Sequence, residues 1–307
     1  MSITTGQQIT KYFELYHAID VTFTKEVIHV TGLYTQQVFL KCMGEQWPCV
    51  IYSTSFIGAK IVASVKPALF DKIRNANNSV SIRFSFKEPN KADTLTFFIA
   101  GKVLGFTPYS QGGGDLQFIN VQYTQRPPDP LIEILGRMLE ANVNSAKRRD
   151  ERITVTPDSA RRMGLVTKET LLYIQGVPRK CILRDISFSG AKVIIVGIAK
   201  FLEQKAITLV IDMEEPRESY SIRGTIVRSE AVEGRKDLAA VAIHFDEPSI
   251  PMNYKIHIND YLTQIVRKTL AGEDLSAASE PKAPPEPKAA PEPKASPAPE
   301  PKAPPAQ

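Results

Sequence analysis

Cysteine is scarce in this chain, with Cys42, Cys49 and Cys181 the only three in 307 residues. Their spacing fits no zinc or C-x-x-C pattern, and the odd count leaves no closed disulfide framework. A reducing compartment is therefore expected, with small buried thiols. Histidine is almost as sparse. His17, His29, His244 and His257 are scattered, none with a metal-ligand partner at helical or hairpin spacing, and no nucleophile–base pair stands out. An enzyme is not expected, although a triad assembled in space leaves no mark in a sequence. Long apolar runs are also missing. The longest, near Val193 to Leu202, is far below membrane-spanning length and is broken by Lys200. Met1 to Asp20 has no basic start followed by an apolar core, so no signal peptide is read there. A cytoplasmic protein with no membrane insertion is expected. The net charge of +5 is compatible with an anionic ligand but too weak to argue for nucleic acid, and no DNA partner is expected.

What the chain does have is strand periodicity. Residues 1–125 read mostly as strands. From Ser79 to Lys87, Val80, Ile82, Phe84 and Phe86 alternate with Ser81, Arg83, Ser85 and Lys87, the period of a half-buried antiparallel strand. Strands over Leu95–Phe106 and Leu116–Tyr123 follow. Ser110–Asp115 between them reads as a hairpin turn, since no G-K-[S/T] follows its glycines. Short helices are expected over Thr10–Ile19 and Pro67–Asn75.

A boundary comes next, at Pro127-Pro128-Asp129-Pro130. Asp129 can cap a helix with Pro130 at its first position. Leu131, Ile134, Leu135, Met138 and Leu139 then recur at helical spacing, so 126–146 reads as an amphipathic linker helix. Residues 147–270 return to short alternating strands and suggest a small antiparallel barrel. A second apolar helical face, Ile258, Tyr261, Leu262, Ile265 and Val266, closes this unit over a barrel mouth or edge. Residues 271–307 differ in kind. They hold eleven of the 23 prolines, four Glu-Pro-Lys-Ala repeats and no large apolar residue after Leu275. Such a segment cannot bury a core and is expected to be disordered, as a spacer or low-affinity recognition tail.

Two short elements carry the chemistry. Arg148-Arg149-Asp150-Glu151-Arg152 places arginines four apart. Asp185-Ile186-Ser187-Phe188-Ser189-Gly190 has the form D-x-S-x-x-G and lies between two strand-like runs. Either alone is weak: an R-x-x-x-R arises by chance in a chain with 38 Lys and Arg, and D-x-S-x-x-G is a generic polar turn. Arginine offers a planar, permanently charged fork for a phosphate, and the same fork matches O6 and N7 of guanine. A carboxylate accepts from the opposite guanine edge, a hydroxyl donates and accepts, and a glycine permits positive φ or close backbone approach.

Together and in this order, the two elements resemble the signature of PilZ domains, the bacterial receptors for cyclic di-GMP. The resemblance implies that Arg148 and Arg152 contact phosphate and guanine, that Asp185 and Ser187 contact guanine, and that Gly190 is the turn residue. Arg149 lies outside the pattern, as a neighbour. Residues 1–125 look like the divergent PilZ-like domain that precedes the PilZ domain in some two-domain receptors. The expected fold is mainly β: two small antiparallel barrel-like domains joined by an amphipathic helix, with a disordered Pro-rich tail. The implied function is a cyclic di-GMP receptor, without cofactor, that changes its interdomain arrangement and signals to an unidentified protein effector in motility, surface polysaccharide or virulence control. The alternative is a protein-interaction or nucleic-acid adaptor whose motifs do not bind ligand. Against nucleic acid at this site, no aromatic lies among the basic residues from Arg148 to Arg162.

Overall fold

The computed structural model describes residues 5–87, 94–109, 115–214 and 217–278. The first part of the chain runs α1 (Gly6–Tyr16), β1 (Val21–Thr22), α2 (Lys25–Thr31), β2 (Phe39–Cys42), β3 (Glu45–Pro48), β4 (Val50–Thr54), β5 (Gly58–Ser64), α3 (Pro67–Asn75), β6 (Ser79–Lys87), β7 (Thr94–Pro108), β8 (Leu116–Tyr123) and α4 (Asp129–Lys147). Helix α1 starts ahead of the expected Thr10 because the Thr5 hydroxyl caps it, accepting from the Gln8 N–H. Among the described residues the strands form one antiparallel sheet in the order β1-β4-β5-β8-β7-β6-β2-β3. The expected mainly β fold is found, and in this domain it takes the form of an open sheet. Val80, Ile82, Phe84 and Phe86 point into its core as the alternation predicts. Ser85 is buried too, because its hydroxyl is satisfied by Thr96 Oγ1 at 2.9 Å. Strands β7 and β8 pair on both sides of the expected Ser110–Asp115 turn, which lies largely outside the described residues.

Helix α4 starts three residues later than the expected 126 and ends one residue past the expected 146. Pro128 is its N-cap, and Asp129 is its first residue rather than the cap. The Asp129 carboxylate turns to Arg126 instead, at 3.2 Å, where it still faces the positive end of the helix dipole. Its buried face is Leu131, Ile132, Leu135, Met138 and Ala141, while Ile134 and Leu139 are only half buried.

The second part runs β9 (Ile153–Thr154), α5 (Pro157–Met163), β10 (Glu169–Ile174), β11 (Val177–Ile186), β12 (Gly190–Val196), β13 (Ala206–Glu214), β14 (Arg217–Val232), β15 (Arg235–Phe245) and α6 (Met252–Ala278). Six strands follow one another as β10-β13-β14-β15-β12-β11, and a β10–β11 pairing closes the ring, making a barrel. Its hairpin β10–β11 turns on Gln175 and Gly176, at φ 51° and 83°. Helix α5 was not read from the sequence, yet its signals are there: Thr156 and Ser159 form a capping box, Pro157 opens the first turn and Gly164 ends it in the left-handed region.

Two hydrophobic cores result, one under the open sheet and one inside the barrel. Helix α6 serves both. Tyr254, Ile258, Tyr261 and Leu262 are buried in the barrel core, while Met252 and Ile256 pack against the other. Ile265 and Val266, expected on the buried face, are exposed because the barrel core ends at Leu262. Residues 271–278, expected to be disordered, continue α6, since the first proline that would stop it is Pro281. Residues 279–307 lie outside the described residues. All three thiols are buried, and burial pushes Cys49 and Cys181 up to about 12, so both stay protonated. Among the described residues no helix is long and apolar enough to cross a membrane.

Candidate ligand-binding site

Helix α4 delivers the chain straight into the arginine segment. Arg148 is its C-cap, with its N–H bonded to the Asn144 carbonyl at 2.8 Å. A tight turn follows, and the Arg148 guanidinium folds back as a two-pronged pair on Glu151, at 2.5 and 2.8 Å. Strand β9 then pairs with the end of β11, Thr154 opposite Asp185 and Ile153 opposite Ile186. That register fixes the neighbouring Arg152 beside Asp185, Nη1 to Oδ1 at 2.5 Å. Arginine and aspartate from the two sequence elements thus meet in space.

The remaining contacts stitch the same two elements together. The Ser189 hydroxyl donates to Asp150 Oδ1 at 2.9 Å, and the Ser189 N–H donates to the Arg149 carbonyl at 3.3 Å. Arg149 reaches across to β15, with Nη2 3.3 Å from His244 Nε2. Ser189 and His244 were not singled out in the sequence. Ser189 occupies a free position of the motif, and His244 arrives from a strand far along the chain, so no local spacing marks it.

Ser187 is buried, and it closes its own turn. Its N–H and its hydroxyl both donate to the Gly190 carbonyl, at 2.8 and 3.2 Å. Its carbonyl accepts from the Tyr254 hydroxyl of α6 at 2.7 Å. Gly190 opens β12 directly opposite His244. A Cβ there would lie 2.2 Å from the Ile243 carbonyl oxygen, so close backbone approach rather than positive φ is what requires glycine. Gly224 does the same from the other side, 2.3 Å from the His244 carbonyl. Strand β15 is therefore held tightly between two glycine-bearing neighbours where it presents His244.

Electrostatically, Arg148 and Arg152 are each neutralised by an internal carboxylate, Glu151 and Asp185. Solvent-accessible pairs of this kind contribute about 0–1 kcal/mol, so exchanging a carboxylate for a phosphate is inexpensive. A separate groove of about 510 Å³ runs along the barrel wall, lined by Leu171, Ile182, Ile194, Val196 and Leu238 among others. None of the six candidate residues lines it.

Family comparison matches the chain in two places, a PilZN3 domain over residues 7–142 and a PilZ domain over residues 146–264. A cyclic di-GMP binding protein of Treponema denticola is 47% identical over 268 residues, covering 87% of this chain and 85% of the relative. The chain therefore belongs to the PilZ family, as a two-domain member with a PilZN3 domain ahead of the PilZ domain. Among solved structures, the Borreliella burgdorferi PlzA protein in complex with c-di-GMP aligns over 83% of this chain and 98% of its own, at 22% identity and a TM-score of 0.37. YcgR from Escherichia coli, also in complex with c-di-GMP, aligns over 84% and 96%, at 11% identity and a TM-score of 0.28.

Proposed function

We propose that this protein is a cyclic di-GMP receptor and that the arginine segment and the D-x-S-x-x-G turn are its binding site. The observation that carries the reading is the contact of Arg152 with Asp185, in a chain 47% identical to a protein named for binding this ligand. Arg148 and Arg152 hold phosphate and guanine, Asp185 reads the guanine edge, Ser187 joins it once its hydroxyl turns out from the Gly190 carbonyl, Gly190 lets β15 approach, and Arg149 flanks the ligand beside His244. Binding exchanges internal carboxylates for ligand: Glu151 leaves Arg148, and Asp185 turns from Arg152 to a guanine N–H.

The signalling step follows from how the site is attached. Arg148 ends α4, and α4 is tied to α6 through Asn144–Asn259 at 2.7 Å and Arg137–Asp260 at 2.7 Å. Ligand that re-aims Arg148 changes the balance of these contacts, and the size of the shift is limited by its differential affinity for the two arrangements. The function proposed is a non-enzymatic cytoplasmic receptor acting on a protein effector in motility, surface polysaccharide or virulence control. Its working division is residues 1–125, a linker helix at 126–146, a PilZ domain at 147–270 and a tail at 271–307. Isothermal titration with cyclic di-GMP tests the site: Arg148→Ala and Arg152→Ala each weaken binding about tenfold or more, the scale of a charge-assisted hydrogen bond. Unchanged affinity in the double variant overturns the assignment.

A further inference from the structure

The outward side of the N-terminal sheet carries what the segment from Arg148 to Arg162 lacks, aromatic rings interleaved with cations. Strand β4 bulges at Tyr52, between the Ile51 and Ser53 pairings with β5, and the ring is 43% exposed. On β5, Lys60 stands between the buried Ala59 and Ile61, so it points outward. Its ammonium lies 4.2 Å from the ring centre of Phe118 on β8 and 5.4 Å from that of Tyr52. Tyr52 and Tyr109 both meet Phe118 edge-on, at 5.1 and 5.0 Å.

A second cluster sits further along the same side. Phe98 of β7 is 46% exposed, and Lys41 of β2 lies 5.3 Å from its centre. Arg83 of β6 lies 5.6 Å from the centre of Phe39, and its Nε is covered without a hydrogen-bond partner. Lys102, paired with Gln122 in register, lies between the clusters. Along β7 the two are about 30 Å apart at ~3.3 Å per residue, a span that suits a short run of nucleotides. Strands β2, β4, β5, β6, β7 and β8 contain no Asp or Glu at all. Glu45 of β3, at the sheet's edge, is engaged by Lys72.

We propose that this face binds single-stranded nucleic acid. Bases stack on Tyr52, Phe118 and Phe98, and Lys60, Lys102, Lys41 and Arg83 track the phosphates. A cation over an exposed ring is a reversible placeholder: a base takes the ring face and the displaced ammonium turns to the backbone phosphate. The absence of carboxylates from these six strands lessens the repulsion that would exclude a polyanion. A single strand fits better than a duplex, because only an unpaired base offers its flat face to a ring. This surface is independent of the cyclic di-GMP site.

The test is fluorescence anisotropy of the full chain with a labelled 20-nucleotide oligo-U, across salt. Binding is expected to weaken linearly in log–log form with salt, at about 0.7 per phosphate contacted. Lys60→Gln reduces that slope by about 0.7. Tyr52→Leu weakens binding at least fivefold at every salt concentration with the slope unchanged, and Phe98→Leu does the same from the other cluster. Circular dichroism melting checks the fold of each variant. A duplex of the same length binds at least tenfold more weakly. No binding, equal binding of duplex, or equal binding of polyphosphate insensitive to Tyr52→Leu overturns the proposal. So does a protein that sediments as a dimer and becomes a monomer on Tyr52→Leu, which would assign the face to self-association.

Discussion

The hydroxyl of Tyr254 donates to the carbonyl of Ser187 at 2.7 Å, and neither residue meets solvent. One belongs to the last helix and the other to the turn between β11 and β12. The Tyr254 ring stands edge-on to Phe245 and Tyr220, so its position is set by packing before the hydrogen bond is made. Burial raises the phenol well above its ordinary range, which keeps it a donor at any physiological pH.

Tyr254→Phe separates these contributions. The ring contacts survive, but a buried carbonyl loses its partner. A loss of about 1–3 kcal/mol in urea unfolding is expected, with faster hydrogen exchange at the Ser187 and Ser189 amides. Exchange unchanged at those two amides would mean that α6 does not hold the turn.

Glu151 is the internal competitor for Arg148. Glu151→Gln removes its charge with little change of shape. Cyclic di-GMP affinity should then rise by about twofold to fivefold, the scale of an exposed ion pair. A fall in affinity, read by titration calorimetry, would instead make Glu151 a support that pre-aims the arginine.

Asp185→Asn replaces one acceptor oxygen by a donor. If Asp185 reads guanine, affinity for cyclic di-GMP drops more than affinity for cyclic di-AMP, and the preference between them flattens. Equal losses for both ligands would make the aspartate an anchor for Arg152 alone.

Gly190→Ala forces a methyl group into the Ile243 carbonyl. A loss of about 1–3 kcal/mol or more is expected from the overpacking, with β12 and β15 pushed apart. Gly105→Ala, where nothing lies within 4 Å, is the matched control and should stay within about 0.5 kcal/mol. Similar melting temperatures for the two variants would sink the close-packing account of Gly190.

Much of this was legible locally. Pro67–Asn75 reads as a helix and folds as one, because proline opens it and its apolar positions fall at helical spacing. The alternation of β6 is visible because one face is buried and the other is not. Ser85 escapes that pattern, since its burial depends on Thr96 from another strand. Helix α5 was missed although Thr156, Pro157 and Gly164 announce both its ends, because it is too short to show an apolar stripe. At the site, the two arginines and the aspartate are marked by spacing. The contacts of Asp150 with Ser189 and of Arg149 with Ser189 and His244 depend on β9 joining β11 and β15 lying beside β12, which no local pattern encodes.

The sharing of α6 has a consequence for where this chain can be divided. A border near residue 145 looks natural, since the two family matches end and begin there. Yet Met252 and Ile256 pack against the first core, and the Met252 N–H is taken by Glu26 at 2.8 Å. The N-terminal domain is thus completed by residues of the helix that follows the barrel strands in sequence. Exchanging that domain between relatives would leave an orphaned flank on both partners unless the face of α6 travelled with it. What packs as a unit here is not a continuous stretch of sequence.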